Sequence, residues 1–124
     1  MVSKRNVVHV EIPAADVPAA SKFYQDLFGW KMEHAAEFDY TLWEDGSGYG
    51  GGFTKVSDES PAGQVVVYIQ SDDIEADLKR VEALGGSVVV PKTEIPGTGW
   101  FAHFKDPTGN LLALYTSNNP QFNQ

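Results

Sequence analysis

No cysteine occurs in the sequence, which excludes disulfides, thiol nucleophiles and cysteine-ligated metals. Basic residues are few: 9 Lys and Arg stand against 17 Asp and Glu, leaving a net charge of -8. Such a surface repels phosphate backbones and anionic headgroups, so neither nucleic acid nor a membrane is expected as a partner. Wholly apolar runs stop at five residues, as in Val65 to Ile69, far short of a bilayer span. Lys4 and Arg5 lie near the start, but His9 and Glu11 interrupt what would be a signal-peptide core. The expectation is a soluble, cytoplasmic protein. No Ser-His-Asp arrangement, P-loop, H-E-x-x-H or zinc spacing is present either. Gly46, Gly48 and Gly51 satisfy G-x-G-x-x-G, yet the strand-like "FTKV" follows them instead of a phosphate-binding helix, so a dinucleotide site is rejected.

What remains is enough for one compact domain, with 42% hydrophobic residues in 124. A helix is expected over 16 to 28: Asp16 can cap it, Pro18 suits its first turn, and Gly29 stands at its C-terminal cap. Val17, Ala20, Tyr24, Leu27 and Phe28 form its apolar stripe. A second helix fits 73 to 84, capped by Asp73 and stopped by Gly85 and Gly86. The two superpose at a constant offset of 57 residues, Asp16 on Asp73 and Leu27 on Leu84, which points to a duplication.

A β-branched run precedes each helix and short strand candidates follow it. Those candidates are 30 to 34, 40 to 44 and 50 to 54, then 87 to 90, 100 to 105 and 111 to 115. The expected fold is α+β: two βαβββ modules, 7 to 54 and 65 to 115, joined by a polar linker at 55 to 64, whose curved mixed sheets enclose a cleft. "PKTEIPGTGW", 91 to 100, carries two prolines and two glycines and reads as a loop over the cleft mouth.

Strand alternation sorts the side chains. Val8, Val10 and Ile12 should meet the first helix, which turns His9 and Glu11 toward the cleft; on the fifth strand Val66, Tyr68 and Gln70 face it. Asp106 and Asn110 should close a hairpin that pairs Lys105 with Leu111, His103 with Ala113 and Phe101 with Tyr115. His34 falls in a polar turn and should be solvated. Among the aromatics, Tyr68, Phe101 and Tyr115 are the leading ligand contacts, with Trp100 and Trp43 as further candidates. Tyr40 and Phe53 belong to the same aromatic set, for several of which core is the plain reading.

"HVEIPAADVPAASKFYQDLFGW", "SDDIEADLKRVEALGG" and "GWFAHFKDPTGN", in that order and spacing, resemble the vicinal oxygen chelate superfamily of glyoxalase I, the bleomycin-resistance proteins and the extradiol dioxygenases. The resemblance covers Val7 to Tyr115 and is specific for the fold, not for a substrate. In metal-dependent members a divalent ion is held by His or Gln on the first strand, Glu on the fourth, His or Gln on the fifth and Glu on the eighth. Here His9 matches the first position. The fourth falls within Gly50 to Gly52, the fifth-strand position is Val66 and the eighth-strand position is Ala113, none of which carries a donor. No metal and no other cofactor is therefore expected.

The resemblance implies a small-molecule-binding protein with a degraded metal site, a homodimer that captures an aromatic or cationic compound. The alternative is a glyoxalase-like lyase or isomerase, either metal-dependent through a shifted site or metal-free. In the metal-free case His9 or His103 would be the general base and Glu11 would orient it. A strand histidine merely satisfied by its neighbours is the plain reading of His9.

Overall fold

The computed structural model describes residues 5–119. Two compact units are present. One spans Val8–Val66; the other comprises residues 67–119 together with 5–7.

The first module runs β1 (Val7–Ala14), α1 (Val17–Phe28), β2 (Lys31–Ala35), β3 (Tyr40–Glu44) and β4 (Gly50–Lys55). Its strands lie in the order β2-β3-β4-β1, with β1 parallel to β4 and the other pairs antiparallel. α1 starts where the Asp16 carboxylate accepts from the Ala19 N–H at 3.0 Å. It stops at Gly29, whose φ of 74° only glycine adopts without cost and whose N–H reaches the Gln25 carbonyl. Ala14, Trp43 and Phe53 form the buried centre, with Val10, Ile12 and Tyr24 packed on it. The Trp30 and Trp43 rings stack at 4.1 Å between centroids.

The second module repeats the plan with β5 (Val66–Gln70), α2 (Ile74–Ala83), β6 (Ser87–Ile95), β7 (Gly99–Lys105) and β8 (Leu111–Ser117), ordered β5-β8-β7-β6. Again the first strand is parallel to the last. Asp73 caps α2 through Ala76 at 3.1 Å, and Ile74, Leu78, Ala102 and Leu114 make the core beneath it. Arg5 joins this unit by pairing with Asp77, which also accepts from the Ser71 hydroxyl. Burial opposes ionisation of Asp77, but the Arg5 and Ser71 hydrogen bonds outweigh it and hold the carboxyl below its usual range.

The chain is thus an α+β fold of two βαβββ modules. The closing hairpin has the expected register, Lys105 with Leu111, His103 with Ala113 and Phe101 with Tyr115. Asp106 sets it, because its carboxylate accepts from Asn110 and Thr108, and these bonds pull its pKa down to about 2. Two expectations are corrected. Residues 91 to 95 are not loop but the second half of β6, with register shifts between Val88 and Val90 and between Val90 and Thr93. β6 is the outer strand of its module, where Pro91 and bulges are tolerated because one row of backbone groups needs no strand partner. His34 lies on β2 instead of a turn, with its Nδ1 3.2 Å from the Thr41 hydroxyl. Among the described residues no helix is long and apolar enough to cross a membrane.

Candidate functional site

Register assigns the faces of each module. In the first, Glu11 lies beside Gly52, Gly52 beside Leu42 and Leu42 beside Glu33, so these residues share the face turned away from α1. His9, Tyr40 and Glu44 alternate onto the same face, two residues from members of that row.

Three of these side chains form a chain of hydrogen bonds. The Tyr40 hydroxyl donates to Glu11 Oε2 at 2.8 Å and lies 2.9 Å from His9 Nε2. The His9 and Tyr40 rings are stacked, with centroids 6.2 Å apart. Burial drives the His9 pKa down to about 4, so the imidazole is neutral at pH 7. Tyr40 can reach across because residue 52 has no side chain. A β-carbon there would collide with Tyr40 Oη, Cζ and Cε2, which are the nearest atoms to that point.

A cavity of about 560 Å³ opens beside His9, with Leu42, Lys31, Glu33, Glu44 and Tyr49 on its wall. That volume suits a small organic ligand. Three carboxylates, Glu11, Glu33 and Glu44, occur on this face against one lysine, Lys31. Tyr49, at 66% exposure, presents an aromatic ring at the rim.

In the second module the face turned away from α2 carries Tyr68, Phe101, His103 and Tyr115, brought together by pairing of β5, β7 and β8 around Ala113. Tyr68 Oη lies 3.2 Å from His103 Nε2, and the Phe101 and His103 rings are 5.3 Å apart. Burial lowers the His103 pKa and raises that of Tyr115, so both are neutral at pH 7.

Register turns two of the candidate aromatics toward the helices. Trp43 pairs with Gly51 and Met32 and so alternates onto the α1 side, where it stacks on Trp30, while it also lines the cavity beside His9. Trp100 likewise alternates onto the α2 side, against the core of Ile74 and Leu114, with Lys92 Nζ 5.2 Å above its ring. Both neighbour residues of the open faces, and a period of two sends them the other way. Sequence reasoning also missed Tyr40, Glu33 and Glu44. The run of glycines at 50 to 52 was the signal available for Tyr40, since a strand without side chains leaves room that another residue must fill.

The donor set was tested against a divalent ion. On the first module's face His9 and Glu11 reach the same point with the Tyr40 hydroxyl between them, while Glu33 and Glu44 stand on β2 and β3. Val66 and Ala113 offer no donor, and the described residues contain no group of three or more His, Cys, Asp or Glu that could hold an ion. These residues do not fit a cation that needs four to six ligands.

The Glyoxalase/Bleomycin resistance protein/Dioxygenase superfamily model matches residues 6–114. A glyoxylase-like domain-containing protein of Didymella fabae is 33% identical, over 94% of this chain and 97% of that protein. The putative glyoxylase CFP32 of Mycobacterium tuberculosis is 28% identical over 88% of this chain, which spans only 44% of that relative's length. The solved structure of a hypothetical protein from Bacillus halodurans C-125 superposes with a TM-score of 0.71, covering 94% of this chain and 96% of the other at 16% identity, a likeness of fold alone.

Proposed function

Because the chain belongs to the Glyoxalase/Bleomycin resistance protein/Dioxygenase superfamily, we propose that it is a small-molecule-binding member with a degraded metal site, whose ligand is a cationic aromatic compound. The observation that carries this reading is the set of three carboxylates sharing one face with the cavity beside His9. A cation entering there meets the exposed carboxylates of Glu33 and Glu44 and a tyrosine ring at the rim, which together favour positive charge over negative. The aromatic face of Tyr68, Phe101 and Tyr115 in the second module supports the same ligand chemistry, since flat rings stack on flat rings. The homodimer implied by the family resemblance belongs to this proposal too, and sedimentation equilibrium measures it directly.

The lyase or isomerase reading is weaker on one specific ground. A general base is effective when its pKa lies near the working pH, and burial leaves His9 with a pKa of about 4. Such an imidazole is a weak proton acceptor at neutral pH.

Calorimetric titration with phenyltrimethylammonium tests the proposal. Saturable binding is expected, weakened about tenfold in the Glu33→Gln/Glu44→Gln double variant and weakened by added salt. Binding that ignores both carboxylates, or preference for an anionic analogue such as benzenesulfonate, contradicts it.

A further inference from the structure

We propose that Tyr40 seals the first module's site against divalent cations: its hydroxyl holds the place between His9 and Glu11 that an ion would take, and residue 52 is glycine to admit it. This rests on the reading that the protein works without a metal, and it names the residue that enforces that.

A phenol has one proton to donate. Tyr40 donates it to Glu11 Oε2 at 2.8 Å, so toward His9 Nε2, at 2.9 Å, it acts as acceptor. His9 therefore carries its proton on Nε2, and that nitrogen has no lone pair to offer a metal. Glu11 Oε2 is engaged by the same hydroxyl. One side chain thus engages both His9 and Glu11, and an ion taking the place between them would have to displace it from two hydrogen bonds at once.

The glycine is a second, independent observation. In relatives with a metal, the family resemblance places a carboxylate on the fourth strand, here the stretch Gly50 to Gly52. At Gly52 the three atoms closest to an added β-carbon all belong to the Tyr40 side chain and none to backbone. Tyr40 and a ligating side chain at 52 are consequently alternatives: the sheet has room for either, never both. The missing ligand at 52 and the phenol at 40 are one device.

Nickel(II) titrations by calorimetry, on metal-stripped protein whose folding is checked by circular dichroism, test this. The wild type and Gly52→His are expected to show no binding that depends on His9. Tyr40→Ala, which keeps Gly52, should gain weak binding, at least tenfold above the wild type. Tyr40→Ala/Gly52→His should bind one ion per chain at least a hundredfold more tightly than Gly52→His alone, and should lose it on adding His9→Ala. If the double variant fails to fold, the gain in Tyr40→Ala decides the matter. Equal nickel binding by Gly52→His with Tyr40 in place, or no gain in any variant lacking Tyr40, overturns the sealing role and leaves the metal-free reading standing. Binding of nickel by the wild type through His9 overturns both.

Discussion

His103 stands directly opposite Ala113 across the β7–β8 hairpin, and Tyr68 pairs with the same alanine from β5. Ala113 is fully enclosed, at 0% exposure, with Tyr68 and His103 as its strand partners. Ala113→Glu would bury a carboxylate in a site filled by its neighbours. The variant should lose about 3 kcal/mol or more of stability, read as a lower urea midpoint, and should not acquire a metal. A stable, ion-binding Ala113→Glu would contradict this packing.

Stability should depend on pH through His9. Its pKa is about 4 in the folded chain against 6.5 ordinarily, so the folded state binds fewer protons than the unfolded one. The contribution is therefore complete above pH 6.5 and is lost as pH falls toward 4, the loss by then amounting to about 3 kcal/mol. His103, also lowered by burial, acts in the same direction. Urea titrations between pH 7 and 4 should show this loss, and His9→Gln should flatten the curve. An unchanged slope in His9→Gln would assign the loss elsewhere.

Gly52→Ala should destabilise the fold by about 1–3 kcal/mol, because its methyl meets the Tyr40 ring. In a double-mutant cycle with Tyr40→Ala the two costs should fall well short of adding, since removing the ring removes the collision. Strict additivity, measured by thermal or urea unfolding, would mean that the ring moves aside freely.

The faces assigned by register make opposite predictions for neighbouring aromatics. Phe101→Ala should cost little stability, because Phe101 lies on the face turned away from α2 with His103. Trp100→Ala should lower the urea midpoint clearly more, by about 2 kcal/mol, since its ring packs against the core under α2. The reverse pattern would mean that the β7 register is slipped by one residue.

Much of this architecture was legible in the sequence because it is written in local signals. Asp16 and Asp73 with their glycine stops fixed the helices, and Asp106 with Gly109 fixed the hairpin whose register then placed His103 against Ala113. Those interactions lie within a few residues of chain, so spacing alone reveals them. Trp43, Trp100 and the strand at 91 to 95 were not legible in the same way. Large aromatics suit either face of a sheet, and prolines mark a loop only where the strand is not an outer one. Tyr40 was hidden for a different reason: its role depends on Gly52 and Glu11, 12 and 29 residues away, and no local pattern joins the three.

The central claim is that this protein holds its ligand without a metal, and calorimetric titration of the metal-stripped wild type with Mn, Fe(II), Co, Ni and Zn, alongside His9→Ala, tests it most directly. The account predicts no ion binding that differs between the two proteins. One ion per chain bound tightly by the wild type and lost in His9→Ala would contradict it.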